Sequence, residues 1–217
     1  IMALNINGTT GISGVDGSVS APALTGTDSN TGITFPAADT IKFSTGGVER
    51  MQITNSGVSG TGVGGKILQY KVSKRTNVNS TTSQSYSEIS SDFRITLTPT
   101  ASDSIIVVTA YLMVANQNNA NTFRLRRNTA SDFSGTSTEV IQPSNFSANE
   151  DGVCSVYEGG SHIFVVPVNG YETSGNTTAR TYSPFWRVGG GTMYLNRLYN
   201  SASYYGVSTM TVIEVAA

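Results

Sequence analysis

The stretch Thr40-Ile-Lys-Phe-Ser-Thr-Gly-Gly-Val-Glu-Arg-Met-Gln-Ile-Thr54 places two runs of alternating residues on either side of a glycine pair. This pattern is typical of a β-hairpin. A loop with an even number of residues would place Phe43 opposite Arg50 and separate the apolar residues onto two faces. We predict an odd loop, Gly46-Gly47-Val48 with a glycine at positive φ. It pairs Phe43 with Met51 and Ile41 with Ile53.

The predicted hairpin exposes one apolar face, and no neighbouring segment supplies a cover for it. Residues 5–30 upstream are rich in Gly, Ser, Thr and Asp and contain only single aliphatic residues. Because an isolated two-stranded hairpin is marginally stable in water, we expect copies of the chain to bury one another's faces around a symmetry axis. The side chains expected to pack in this oligomeric stalk, residues 40–56, are Ile41, Phe43, Met51 and Ile53.

The segments on either side of the stalk differ in character. Residues 1–39 show neither a helical period nor a sustained alternation, and we expect an extended arm held by a partner or by sister chains. The glycine density of residues 57–65 predicts a joint. From residue 66 to residue 217, short strands alternate with Gly, Asn and Ser turns. This predicts an all-β domain, a β-sandwich whose strand count suits a jelly roll.

Three strands of this domain have recognisable patterns. Residues 104–114 are largely apolar, as is typical of a strand in the middle of a sandwich. In residues 93–97 the alternation predicts that Phe93, Ile95 and Leu97 point inward. The last strand alternates along one face that would suit a three-fold axis, and this face holds Val207, Thr209, Thr211, Ile213 and Val215.

Charge and hydropathy exclude several classes of partner. Charged residues make up 12% of the 217 residues and the formal net charge is -1, whereas nucleic acids and anionic membranes attract basic surfaces. Arg124, Arg126 and Arg127 flank Leu125 on one predicted strand, and we interpret them as a solvated or inter-subunit face. No apolar run reaches the ~20 residues of a membrane helix. We therefore expect no nucleic-acid partner and no membrane insertion.

The sequence offers little catalytic chemistry. His162 is the only histidine, which excludes an ordinary zinc site. The single Cys154 excludes an intrachain disulfide, and no signal-peptide pattern opens the sequence, so we expect synthesis in a reducing cytoplasm. Four acids in or beside predicted loops could pair as glycosidase carboxylates, although scattered solvated acids are the favoured interpretation. They are Glu139, Glu150, Asp151 and Glu158. We expect no enzyme, no catalytic residue, no metal and no cofactor.

Aromatic residues crowd the C-terminal part of the chain among Asn, Ser and Thr. Tyr and Trp present a flat apolar body with a polar edge, which suits contact with a sugar or a protein epitope. The alternative is that most of them fill the sandwich or a subunit interface. The candidate receptor-contacting residues are Tyr199, Asn200, Ser201, Tyr204 and Tyr205.

Residues 4–65 carry a resemblance to a known family. Asn7-Gly-Thr-Thr-Gly-Ile-Ser-Gly14 and Ser20-Ala-Pro-Ala-Leu-Thr-Gly-Thr-Asp-Ser-Asn-Thr-Gly-Ile-Thr-Phe-Pro36 are similar to the opening of tailed-bacteriophage fibre and appendage proteins. The hairpin, followed by Gln52-Ile-Thr-Asn-Ser-Gly57, resembles the element that closes their short trimeric shafts. The larger domain resembles, through residues 104–114 and 207–215, the trimeric jelly rolls of the tumour-necrosis-factor and C1q type that tip many phage fibres.

The resemblance implies a homotrimeric virion protein made in the host cytoplasm and located on the exterior of the particle. Its arm, residues 1–39, would dock on another virion protein. Its head would contact a host cell-surface glycan or protein during adsorption, as in a tail fibre. The alternative is a capsid decoration or head-fibre protein with a structural role, and a remote alternative is a polysaccharide-degrading fibre.

Overall fold

The computed structural model describes residues 5–7, 11–13, 16–61, 67–141, 152, 154–159, 162–201, 203 and 205–217. The chain divides into two compact units, Ile1–Lys66 and Ile67–Ala217. Every described element is a β-strand except one 3-10 helix, Ser91–Phe93. The prediction of an all-β chain containing a β-sandwich is therefore confirmed. In the described part of the chain, no helix is long and apolar enough to cross a membrane.

The described residues of the N-terminal unit form nine short strands in three antiparallel sheets. Two of the sheets are two-stranded, β1 (Asn5–Asn7) with β2 (Gly11–Ser13) and β3 (Gly17–Ser18) with β4 (Ala21–Pro22). The third is a five-stranded meander in chain order, formed by β5 (Leu24–Thr25), β6 (Gly32–Ala37), β7 (Thr40–Thr45), β8 (Val48–Thr54) and β9 (Gly57–Ser59).

The predicted hairpin is formed by β7 and β8. Its side-chain pairing is confirmed, because Phe43 lies opposite Met51 and Ile41 lies opposite Ile53. The predicted three-residue loop is wrong. The turn is the two-residue pair Gly46-Gly47, with φ angles of 59° and 71°, which match the twist of a type I′ turn. The odd offset comes instead from a β-bulge after Phe43, which leaves Arg50 as the extra residue of β8.

The hairpin is not isolated, and this corrects the expectation that no neighbouring segment adds to it. β6 pairs with β7 on one side and β9 pairs with β8 on the other. Ile33 lies opposite Phe43, and Leu24 lies opposite Ile33. Single aliphatic residues separated by turns thus reach the same face as the hairpin's apolar residues, so part of the expected extended arm belongs to this sheet.

The C-terminal unit is a sandwich of two antiparallel sheets. In the first sheet, the strand order is β18-β14-β21-β10, with β20 pairing with the last part of β14 and β11 pairing with β20. In the second, β15 and β19 are central, β12 and β13 pair with β19, and β16 and β17 pair with β15. The strands are β10 (Ile67–Arg75), β11 (Asn79–Thr81), β12 (Ser87–Glu88), β13 (Ile95–Leu97), β14 (Ile105–Ala115), β15 (Gln117–Asn128), β16 (Thr138–Glu139), β17 (Cys154–Gly159), β18 (Phe164–Thr173), β19 (Arg180–Val188), β20 (Met193–Leu195) and β21 (Ser208–Val215).

The core lies between these two sheets. β14 is a central strand, as predicted, and every second side chain from Ile106 to Val114 is fully buried. Phe93, Ile95 and Leu97 are also buried, which confirms their predicted inward orientation. Trp186 is the largest fully buried side chain. Each such apolar side chain contributes about 1.5–3 kcal/mol when it leaves water, so the interleaved side chains of the two sheets hold the sandwich together.

The half-buried carboxylate of Glu172 joins the two sheets at the edge where β14 begins and β18 ends. Glu172 on β18 accepts hydrogen bonds from the Tyr182 hydroxyl at 2.7 Å and from Arg127 Nε at 2.7 Å, and it pairs with Arg180 at 3.2 Å. These partners come from the opposite sheet. Burial, and then the Glu172 carboxylate, raise the pKa of Tyr182 above its ordinary value, so the hydroxyl remains a donor. The cluster therefore ties the two sheets together.

Candidate functional site

The candidate receptor-contacting residues lie in the loop that joins β20 to β21, residues 196–207, here called the aromatic loop. Asn196 fixes its base. This residue is fully buried, and its Nδ2 donates to the carbonyl oxygens of Arg75 at 2.8 Å and Asn77 at 3.1 Å. Its Oδ1 accepts from Ser208 Oγ at 2.6 Å, and its backbone oxygen accepts from the Gly206 N–H at 3.0 Å. Both ends of the loop are therefore held by one side chain and its backbone.

The conformation of Asn196 explains why asparagine suits this position. Its φ angle is 59°, in the left-handed region that asparagine tolerates better than most residues. Its N–H donates to the Met113 carbonyl oxygen at 2.7 Å, which attaches the turn to the end of β14. The loop thus begins from a rigid point on the central strand.

A cluster of two tyrosines and an arginine lies next to this base. The guanidinium carbon of Arg197 is 4.4 Å from the centre of the Tyr194 ring, a cation–π contact. The ring of Tyr199 meets that of Tyr194 edge-on, with centres 5.9 Å apart. Arg197 also forms a backbone bridge with Tyr205, whose side chain is 62% exposed. An arginine therefore connects Tyr194 to Tyr205.

The five predicted residues divide among different environments. Tyr205 is exposed, whereas Tyr199 is half-buried against Tyr194. Asn200 is exposed, and Ser201 is half-buried and accepts a hydrogen bond from the Ser203 N–H at 3.1 Å. Tyr204 lies outside the described residues. Contact of these residues with a receptor stays a prediction.

Tyr194 and Arg197 belong to this cluster. Tyr194 was one of the crowded aromatic residues in the sequence but was not chosen as a candidate for contact, and Arg197 was missed. A signal for Arg197 was present, since it is the only charged residue between Arg187 and Glu214 in the sequence. A single charged residue in a long neutral segment rich in tyrosine could have been chosen as a candidate binding residue. Nothing comparable marked Tyr194, which lies on the short strand β20 beside Ser80 of β11.

Each unit also presents an apolar sheet face that the described residues leave uncovered. The first apolar face runs across all five strands of the meander, because residues directly opposite one another share a face. One row crosses from β5 to β8 and a second crosses from β7 to β9. Four side chains on this face are at least 36% exposed, namely Leu24, Ile41, Ile53 and Val58. The other three are half-buried, namely Ile33, Phe43 and Met51. The four predicted stalk-packing residues all lie on this face.

An open depression lies at the edge of the first apolar face. It has a volume of about 380 Å³ and is lined by Phe35, Ile41 and Ile53, with Asp39 and Asn55 among its other lining residues. Asn55 Nδ2 donates to Asp39 Oδ2 at 3.2 Å. Its apolar floor and its open shape fit a protruding side chain better than an enclosed small molecule.

The second apolar face is the outer side of the first sheet of the sandwich. A row of directly opposed residues runs Tyr70, Ile213, Val107, Tyr171 across four strands. The two tyrosines at its ends are 63% and 67% exposed. The two adjoining rows contain no charged residue either. The apolar residues of these three rows are Ile67, Tyr70, Val72, Ile105, Val107, Tyr171, Ile213 and Val215. The prediction that alternate residues of the last strand share one face is confirmed from Thr209 to Val215.

The three arginines of β15 do not form one solvated face, which corrects that interpretation. Arg124 is 3% exposed and its guanidinium carbon lies 3.7 Å from the centre of the Tyr86 ring. Arg126 donates to Glu139 at 2.7 Å on the same side of the strand. Arg127 points to the other side, where it meets Glu172, because successive residues of a strand alternate in direction. These arginines stabilise the sandwich.

The described side chains that were considered for catalysis do not form a catalytic arrangement. Glu139 is paired with Arg124 and Arg126, and His162 is exposed. Glu150 and Asp151 lie outside the described residues, and the structure describes only the backbone of Glu158. Among the described side chains, no three His, Cys, Asp or Glu residues come close enough together to hold a metal ion.

Comparison with known proteins adds distant neighbours only. No protein-family model and no curated protein matches the chain. A structure of the infectious bursal disease virus Gx strain matches 70% of this chain and 39% of that chain, at a TM-score of 0.30 and 10% identity. A structure of the Gt strain matches 94% of this chain and 56% of that chain, at a TM-score of 0.36 and 10% identity. This chain spans less than two thirds of either protein, and similarity this low carries no argument about function.

Proposed function

We propose that this protein is a homotrimeric virion appendage protein, a tail fibre whose C-terminal head contacts the host cell surface. The observation that carries the proposal is the pair of uncovered apolar faces, one in each unit, together with a rigidly based aromatic loop. Soluble monomers rarely expose apolar patches larger than a few hundred Å². A second copy of the same chain has the same two faces to bury.

The size of the two faces supports self-association. Burial of the remaining exposed part of each side chain on the first apolar face contributes roughly 1 kcal/mol, or several kcal/mol per copy. On the second apolar face, Tyr70 and Tyr171 alone offer roughly 200 Å² of the ~800 Å² per partner that a stable interface buries. The absence of charged residues from these rows is typical of a permanent interface. Three-fold symmetry is what the resemblance of residues 4–65 implies.

The strand order of the sandwich supports a jelly-roll head. The long strands β10, β14, β18 and β21 belong to one sheet, whereas β12–β13, β15, β17 and β19 belong to the other. The chain changes sheet at almost every connection between them, which is the connectivity of two Greek keys. Such a domain presents its loops at its ends, where a surface can be contacted.

The second apolar face and the aromatic loop lie at different ends of the same strands, so one does not exclude the other. Val107, in the middle of the second apolar face, lies near the start of β14. Met113, whose carbonyl oxygen accepts from the Asn196 N–H at the base of the loop, lies six residues further along the same strand. At about 3.4 Å per residue this is a separation of roughly 20 Å. A trimer closed through the second apolar face would leave three aromatic loops to act together, and three weak contacts combine into useful avidity.

An adsorption competition tests the proposed function. Susceptible cells are incubated with the full-length trimer and then exposed to the virus that encodes it. We expect the trimer to bind the cells and to reduce adsorption, and heat-unfolded protein to do neither. Native trimer that neither binds susceptible cells nor competes with the virus would contradict the proposal.

The alternative, a capsid decoration or head fibre, is favoured by the hydrogen-bonded start of the chain. The segment before the meander is attached to it, because the Phe35 N–H of β6 donates to the Asp16 carbonyl oxygen at 2.8 Å. Such a segment suits docking on another virion protein. Imaging of intact particles decides between the two: density for this protein at the tail supports the tail fibre, and density on the capsid supports the alternative.

A further inference from the structure

We propose that the aromatic loop binds an acidic saccharide, with the carboxylate or phosphate of the sugar on Arg197 and its ring against Tyr199 and Tyr205. This inference rests on the proposed function and names the chemical class of the receptor.

Arg197 is held in place, and the described residues give it no counter-charge. Its Nε donates to the Leu198 carbonyl oxygen at 3.2 Å, and its guanidinium lies over the Tyr194 ring. By contrast, Arg75 at the end of β10 pairs with Asp92 at 2.9 Å. Among the described residues, no Asp or Glu pairs with Arg197. Its terminal nitrogens therefore remain as donors for a ligand.

The surroundings of Arg197 favour an anion. The aromatic loop and β20 contain no acidic residue, and residues 76–81 on the neighbouring strand and turn contain none. Arg75, at the end of the sheet where β10 meets the start of β21, is paired with Asp92, so these two charges offset each other. The guanidinium of Arg197 therefore supplies the positive charge for a carboxylate or a phosphate, which a planar guanidinium can bind through two nitrogens.

The neighbouring rings specify a saccharide as the body of this anion. Tyr205 is 62% exposed beside Arg197, and Tyr199 packs edge-on against Tyr194. Tyrosine rings offer apolar faces to the C–H groups of a sugar and hydroxyls to its polar edge. Asn200 and Ser203 are exposed in the same loop. Because Asn196 holds both ends of the loop, little entropy is lost at these ends when a sugar binds.

The test measures binding of the full-length trimer to matched polymers. The probes are a glucuronic-acid polysaccharide, the same polymer after reduction of its carboxyl groups to neutral sugars, and poly(glycerol phosphate). The variants are Arg197→Gln, the charge-retaining Arg197→Lys, and a control, Lys74→Gln, which removes one exposed positive charge from the same end of the sheet. The oligomeric mass and unfolding temperature of each variant establish that it is folded.

We expect the wild type to bind at least one acidic polymer and to bind the neutral polymer at least tenfold more weakly. Arg197→Gln should lose about tenfold or more in affinity, the loss of a charge-assisted hydrogen bond, whereas Lys74→Gln should stay within about twofold. If Arg197→Gln fails to fold, Arg197→Lys should show the loss of the two-nitrogen contact. Preference for glucuronate or for glycerol phosphate identifies which acidic group is bound.

Three results would overturn the inference. They are equal binding of neutral and acidic polymers, an unchanged affinity of folded Arg197 variants, and adsorption to host cells that protease treatment abolishes and glycosidase treatment spares. Each of these leaves the proposed function standing as long as the trimer still adsorbs to host cells. Failure of the trimer to adsorb at all would instead contradict the proposed function.

Discussion

Asn196 shows how a single residue positions the candidate site. Its amide nitrogen donates to the carbonyl oxygens of Arg75, the last residue of β10, and of Asn77 just beyond it, and its amide oxygen accepts from the Ser208 hydroxyl. The sequence could not predict this role, because asparagine is abundant in the chain and the partners lie about 120 residues away. Arg197 could have been found from the sequence, since it is the only charge in a long neutral segment.

Replacement of Asn196 with alanine should destabilise the C-terminal unit by about 2–4 kcal/mol. The variant loses three side-chain hydrogen bonds, removes the amide donor from the Arg75 and Asn77 carbonyl oxygens and places alanine at positive φ. Chemical denaturation at a fixed protein concentration measures the change. The exposed Ser203→Ala in the same loop is the control and should stay within about 0.5 kcal/mol. Equal effects of the two substitutions would show that Asn196 does not fix the loop.

Glu214 gives the sandwich a dependence on pH. Burial alone would raise the pKa of its carboxyl, but hydrogen bonds from the Thr100 N–H and hydroxyl and from Gln69 outweigh burial and hold the pKa below its ordinary value. A carboxyl with a lowered folded-state pKa contributes stability that is present above its unfolded pKa, about 4.3, and is lost as the pH falls through the folded value.

Glu214→Gln should therefore reduce stability at pH 7 by about 1–3 kcal/mol and flatten the loss of stability below about pH 4.3. Unfolding free energies between pH 7 and pH 3 measure both effects. Asp103→Asn, an exposed acid near the same end, serves as the control and should leave the pH profile unchanged. An unchanged profile in Glu214→Gln would contradict the role assigned to this carboxylate.

The β7–β8 hairpin shows what sequence patterns can and cannot predict about an element. The pairing of Phe43 with Met51 followed from the alternation, because one face of a hairpin must be apolar. The loop length did not follow, since a three-residue loop and a two-residue turn with a bulge produce the same offset. Strands β5 and β6 were missed because Leu24 and Ile33 are single aliphatic residues without a repeating pattern around them.

Alanine at Gly46 should destabilise the N-terminal unit by about 1–2 kcal/mol, because its φ of 59° is unfavourable for any residue with a Cβ. No atom lies within 4 Å of the added Cβ, so the cost is in the backbone alone. Gly26→Ala is the matched control, since Gly26 also has open space around it but no positive φ. It should be neutral or slightly stabilising. If both substitutions cost the same in denaturation experiments, the type I′ turn is not required.

On the scale of the whole molecule, the two apolar faces are the features that the fold itself does not explain. The alternation in the hairpin and in the last strand predicted that each unit would carry apolar side chains on an exposed sheet face. The extent of both faces was not predictable, because each needs the register of four or five strands to bring its rows together. Tyr70 and Tyr171, for example, lie about 100 residues apart in the sequence and at the two ends of one row.

A glutamate on either face should weaken self-association, because it places an unpaired charge in an apolar interface. We expect Ile53→Glu and Ile213→Glu each to shift the protein towards monomer at micromolar concentration, and the double variant to be monomeric. Gln52→Glu on the opposite side of β8 and Thr177→Glu in an exposed loop are the controls and should keep the wild-type mass. Dissociation of the controls to the same extent would show a general effect of charge.

The most direct test of self-association is the mass of the full-length wild-type protein in solution, measured by sedimentation equilibrium from nanomolar to micromolar concentration. With a chain mass of 22.8 kDa, we predict a species three times as heavy that persists on dilution. A stable monomer of 22.8 kDa across that range would show that the two apolar faces are tolerated in water, and it would contradict the central claim.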